Sequence, residues 1–324
     1  MSSTRTEPVG EWYPLHTYLP MSLQTGFLRE VVRPAVRDAG MEGRVWFLRY
    51  WQGGPHIRLR LHRPTAAAAA SVRSALEAGL PELTAEHRAE FDRQASLQPG
   101  LGELEGADPL EARAAGTVEH AVYSPEYAKY GGTTGLAVAE ELYRATSGAV
   151  LDLIASRSDL ELKAPAGLAI RTMAMALKGS GLDMKQSREF LGIYEEEWRR
   201  WVPPGYDDKW PGMYEKTRGK VVGLCRAVWC EGASDVFHDA YAAALESARA
   251  VQWGATGGDV QDLVLEETPY AHCLANYIHT TNNRLGILPA AEAFLAYVVQ
   301  RAITDLQAAP DEAESAGEQG VATG

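Results

Sequence analysis

Arg44-Val-Trp-Phe-Leu-Arg-Tyr-Trp-Gln-Gly-Gly-Pro-His-Ile-Arg-Leu-Arg-Leu-His62 is the stretch on which the fold turns. Its first part, Arg44 to Trp51, consists mostly of residues that favour a pleated, half-buried strand. Gly53-Gly54-Pro55 then supplies a turn, because glycine tolerates positive φ and proline fixes φ. From His56 to His62 polar and apolar residues alternate strictly, the period-two signature of a strand. Residues 44–62 therefore predict an antiparallel β-hairpin. Alternate side chains share a face, so Ile57, Leu59 and Leu61 point into a core while His56, Arg58, Arg60 and His62 point away from it.

Working outward, Trp12 to Leu19 reads as another strand. Ser22 is placed to cap a helix reaching about Asp38, with Pro34 kinking or shortening it. An alanine-rich helix is expected from Ala66 to about Leu80. Residues 95–118 read as a loop, Tyr123 to Gly132 as a compact turn, and Thr134 to Ser147 as a helix. Beyond Asp152 the pattern becomes helical, with helices predicted near 165–178, 183–199, 211–230, 234–251 and 289–306. The fold class expected is α+β, an antiparallel sheet with helices packed on it and a helical second half. No repeat or linker divides the chain. The expectation is one domain over 12–306, a flexible start over 1–11 and a disordered tail over 307–324, which lacks aromatic residues.

The 324 residues carry 31 basic and 43 acidic side chains, a net charge of −12. So acidic a chain is a poor non-specific binder of nucleic acid or of an anionic membrane surface. Three cysteines, Cys225, Cys230 and Cys273, form no CxxC pair, which argues against a disulfide framework or a structural zinc site. The first residues lack a signal-peptide apolar core, and no stretch reaches the ~18 apolar residues of a membrane span. The cytoplasm is the expected location. Walker, GxGxxG, GxSxG and HExxH patterns are all missing.

Two segments carry chemistry. On the hairpin, Arg58 and Arg60 would project side by side, about 6.6–7 Å apart along the strand. Like charges that close call for an anion or for carboxylates from a neighbouring helix. Arginine's planar fork suits a carboxylate ligand, and Arg49 on the paired strand is placed to join or brace the group. The second segment is His272-Cys-Leu-Ala-Asn-Tyr-Ile-His-Thr-Thr-Asn-Asn-Arg-Leu-Gly286. As a helix it would align His272, Asn276, His279 and Asn283 on one face, with Asn283 and Arg284 at its end. Histidine suits proton transfer near neutrality. A metal site is not expected, since adjacent His272 and Cys273 diverge on a helix and no third ligand is suitably spaced.

Taken together, Phe47 to Trp51 with Gly54 to Arg60, Tyr123 to Gly132, and Ile278 to Gly286 resemble, in order and wording, the C-terminal domain of lantibiotic dehydratases, which also occurs as a standalone protein. The resemblance runs from about residue 12 to 305. It implies elimination of glutamate from glutamylated Ser or Thr of a precursor peptide, leaving dehydroalanine or dehydrobutyrine. Arg58, Arg60 and His279 would be the catalytic residues, with Arg49, His56, Lys129, Tyr130, Asn283 and Arg284 binding substrate. Lys129 stands where relatives often have arginine, which keeps the charge and loses the bidentate fork. No cofactor is implied. The partners implied are a precursor peptide with its leader and a separate tRNA-dependent glutamylating protein; the oligomeric state, a homodimer included, stays open. Standalone relatives also include thiopeptide pyridine synthases, which join two dehydroalanines by a formal [4+2] cycloaddition with leader release. A non-catalytic peptide-binding scaffold is the third alternative.

Overall fold

The computed structural model describes residues 8–158, 165–251 and 269–308. Most of the two terminal segments singled out above, and the stretch before the second chemical segment, lie outside the described residues. Four strands form one antiparallel sheet: β1 (Trp12–Tyr18), β2 (Val45–Tyr50), β3 (His56–His62) and β4 (Thr117–His120), in the order β2-β3-β1-β4. The hairpin is present, with Leu48 opposite Arg58 and Trp46 opposite Arg60. β1 adds to the other side of β3, with His16 opposite Arg58 and Pro14 opposite Arg60. Gly54 in the turn has φ +103, and a Cβ there would come within 2.7 Å of the Phe91 ring, so only glycine fits.

Before the hairpin, the expected single helix is three pieces: α1 (Met21–Phe27), a π-turn (Leu28–Val32) and α2 (Arg33–Asp38). Pro34 lies in the first turn of α2, where its missing N–H costs least. Ser22 does not cap the helix; its N–H and hydroxyl both donate to Glu90. After α3 (Ala66–Ala78) comes α4 (Ala85–Ala95), which the sequence reading left unassigned. The expected loop over 95–118 contains α5 (Gln98–Glu105). Its proline sits in the first turn and Gly106 ends it in the left-handed conformation, both positions where these residues suit a helix.

The helical half follows the sequence pattern: α6 (Gly132–Ala155), α7 (Ala166–Gly179), α8 (Met184–Arg199), α9 (Trp210–Trp229), α10 (Val236–Arg249), α11 (Pro269–Leu285) and α12 (Pro289–Ala308). One connected cluster of buried residues runs from Leu15, Phe47, Ile57 and Leu59 in the sheet to Leu274, Val299 and Ile303 in the last two helices. No single described helix is long and apolar enough to cross a membrane.

The outer edge of β2 would leave unpaired backbone groups, which must be satisfied when buried. Here side chains of α6 and α11 take them. Phe47 N–H donates to Ser147 Oγ and Phe47 C=O accepts from Arg284 Nε. Arg49 N–H donates to Asn283 Oδ1 and Arg49 C=O accepts from Asn283 Nδ2, both at 2.8 Å. α11 is thereby seated on the sheet edge.

Candidate functional site

One sheet face is apolar and covered; the other gathers aromatic rings, imidazoles and two guanidinium groups. On this second face Arg58 lies 3.5 Å above the Tyr50 ring. Arg60 sits between Trp46 and Tyr123, at 4.0 and 4.4 Å from the ring centroids. Such cation–π contacts hold each cation flat, with about 0.5–2 kcal/mol per contact. Among the described residues neither arginine has a carboxylate ion-pair partner, and Arg60 Nε is buried without a hydrogen bond. Burial holds the Arg60 guanidinium down to about 10 and lowers that of Arg58 too. Two partly desolvated cations without counter-charges make a seat for an anion.

The imidazoles of this face differ. His56 is fully buried, donates Nδ1–H to Gly54 C=O and accepts from Arg58 Nε at 3.0 Å through Nε2, so it is neutral with both nitrogens engaged. Burial, then the neighbouring Arg58 charge, holds it well below the ordinary imidazole range. His62 Nε2 lies 2.9 Å from Glu11 Oε1. His16, on β1, stacks against His56 with ring centroids 4.8 Å apart. Burial first, then the charges of Arg58, Arg60 and His120, holds His16 down to about 3. Beside Arg60, Tyr123 O–H donates to Glu140 at 2.6 Å. Tyr123 and Glu140 also line an open groove of about 690 Å³ with Trp12, Tyr13, Pro14 and Tyr127.

His279 belongs to a second cluster. Its ring stacks on Trp198 at 4.3 Å, and its Nδ1 lies 2.8 Å from Glu292 Oε1. Glu292 is fully buried and also accepts from Tyr194 O–H and Asn282 Nδ2. A carboxylate receiving only donors favours the Nδ1–H tautomer of His279, which leaves Nε2 available. No contact among the described residues joins His279 to Arg58 or Arg60. The two clusters are linked through packed rings: Trp46 beneath Arg60 touches Tyr143 of α6, and Tyr143 meets Tyr277 of α11.

The remaining residues named from sequence are placed as follows. Arg49 does not join the cationic face: in register with Ile57 it points to the opposite side, where it donates to Thr25 Oγ1 and Arg284 C=O. Asn283 and Arg284 are engaged with the β2 edge; Arg284 also lies 4.8 Å from the Tyr143 ring centroid. Tyr130 is buried and hydrogen-bonded to Tyr143, binding the glycine turn to α6. Lys129 is partly exposed and 3.7 Å from Glu126. Sequence reading missed His16, Tyr50, Trp46, Tyr123 and Glu292. A signal existed for His16, a polar interruption in an aromatic strand; Glu292 sits in an alanine-rich helix and gave none. Among the described residues no group of three His, Cys, Asp or Glu could hold a metal ion.

The chain thus presents an antiparallel sheet with a cationic, aromatic face, edged by a histidine-bearing helix. The chain belongs to the lantibiotic biosynthesis dehydratase C-terminal family, whose pattern it matches over residues 12–303. Among solved structures it is similar to the pyridine synthase TbtD from thiomuracin biosynthesis, with 19% identity, 92% of this chain and 99% of that chain covered, and a TM-score of 0.67. It is similar to TsrL, with 20% identity, 91% and 95% covered, and a TM-score of 0.57. It is also similar to the tRNA-dependent lantibiotic dehydratase MibB from Microbispora sp. 107891, with 18% identity and a TM-score of 0.53, covering 95% of this chain and 29% of that one. At these identities the structures show the shared fold. No curated protein matches the chain in sequence.

Proposed function

We propose that the chain matures a ribosomally made precursor peptide, and that its reaction is β-elimination of glutamate from glutamylated Ser or Thr. The observation that carries this reading is the Arg58–Arg60 pair, side by side over aromatic rings and without carboxylate partners. In the elimination a base takes the Cα proton, the Cα–H electron pair becomes the Cα=Cβ bond, and the Cβ–Oγ pair leaves on the glutamate carboxylate. Preorganised cations aimed at that developing charge lower the barrier. Arg58 and Arg60 hold the glutamyl carboxylates or the enolate oxygen. His279, oriented by Glu292, handles a proton. The partners are a leader-bearing precursor peptide and a separate glutamylating protein.

The test is mass spectrometry of a glutamylated precursor mixed with the protein. The expected product is free glutamate and a peptide lighter by one water per site than the unmodified one. Arg60→Ala and His279→Ala are each expected to lower turnover by on the order of 10²-fold or more while the fold stays intact. An unchanged glutamyl peptide overturns the reading. One observation favours a second reading, pyridine synthesis: the fold overlays 99% of TbtD at nearly full length of this chain. A pre-dehydrated precursor converted to a pyridine-containing core with leader release would establish it.

A further inference from the structure

We infer that the Arg58–Arg60 face takes up a carboxylate together with a proton, and that His16 receives the proton. The inference rests on the anion seat of the proposed elimination and adds a group the sequence motifs do not mark. Three imidazoles share this face. His56 has both nitrogens bonded and cannot accept a proton without breaking a contact. His62 is already paired with Glu11 at 2.9 Å. His16 stands directly across the strand pair from Arg58, and among the described residues no hydrogen bond engages its ring. Of the three it is the one with neither nitrogen in a hydrogen bond among the described residues.

The groups facing His16 explain why it is empty of a proton and what would fill it. From β3 come Arg58, Arg60 and His56, from β1 Tyr18, and from β4 Glu119; His120, in register with Leu15, stands on the opposite face. Glu119 is drawn to Arg113 at 3.2 Å. Burial first, and then the uncompensated charges of Arg58 and Arg60, hold the His16 imidazole down to about 3. A carboxylate seated on the arginines cancels that field and adds a negative neighbour. A unit charge about 4 Å away at an effective dielectric of about 20 changes proton affinity on the order of a thousandfold. That favours the protonated form of His16. The site then presents three cations. In the elimination this matches the charge change, since the departing glutamate carries one more carboxylate than the ester it came from.

The experiment is titration calorimetry of the full chain with glutarate, in two buffers of different protonation enthalpy at about pH 6, the region of histidine titration. The expected result is uptake of a substantial fraction of one proton per bound glutarate, and affinity that weakens up to about tenfold per unit as pH rises from about 5 to 7. His16→Asn should bind glutarate without proton uptake and with little pH dependence, and Arg60→Ala should not bind it. Identical apparent enthalpies in both buffers for the unaltered protein, uptake persisting in His16→Asn, or no glutarate binding would each overturn the inference. If His16→Asn fails to fold, histidine-labelled NMR of the unaltered protein decides: one of its eight histidines must titrate near neutrality with glutarate and not without it. A chain that eliminates glutamate but takes up no proton refutes His16 alone. Proton-coupled binding without turnover refutes the elimination alone.

Discussion

Within one ring stack, two histidines meet opposite fates. His56 has both nitrogens bonded, while His16 has neither bonded among the described residues and is held neutral by burial and by the arginine charges. Their difference depends on strand register, and register is where the sequence stops being legible. The alternation of His56 to His62 assigns the arginines to a face without help. Placing His16 opposite Arg58 needs to know that β1 pairs with β3 across an intervening helical segment, which no local pattern states. The same holds for Glu292, whose partner His279 lies on the preceding helix. Glu292→Gln is expected to cost about 1–3 kcal/mol, because an amide cannot accept from three donors as the carboxylate does. It should also slow the proposed elimination by releasing the His279 ring. Urea unfolding and a turnover assay on the same variant check both.

At the level of elements, the hairpin and the helices beyond α6 follow from residue type and spacing, whereas α5 does not. Gln98-Pro-Gly reads as a loop by composition. It becomes a helix because the Gln98 side chain accepts from Gly53 N–H at 2.6 Å and from Leu110 N–H at 3.3 Å, tying both ends of the segment to the hairpin turn. Asn283 is a comparable case: its amide closes the β2 edge, a role its place in the sequence did not announce. Asn283→Ala leaves the Arg49 N–H and C=O unmatched, and about 2 kcal/mol of stability should be lost. A lower urea midpoint at unchanged slope would show it. A loss of activity without that shift would instead return Asn283 to the substrate. α11 ends on Gly286, whose φ of +83 is the left-handed cap conformation that glycine adopts without strain.

For the whole molecule, acidity outside and bare cations inside act together. The net charge of −12 sets the outward field, and the arginine face is an isolated positive seat within it. Its neutral imidazoles make folding pH-dependent. His16 ordinarily titrates at 6.5 and is held down to about 3 in the fold, so below 6.5 the unfolded chain binds the extra proton. The contribution is complete above that value and is lost as pH falls toward about 3; His56 acts in the same direction. Urea midpoints measured between about pH 7 and 4 should fall, and His16→Asn should flatten part of that slope. An unchanged slope in the variant would mean that His16 is not held neutral by the fold.

A long strand at the rim of a sheet offers other chains a template for fibril growth. Here the amide of Asn283, with Ser147 and Arg284, occupies that rim, and the opposite rim is a strand of only four residues. The contacts that seat a histidine-bearing helix therefore also protect the protein from self-templated aggregation.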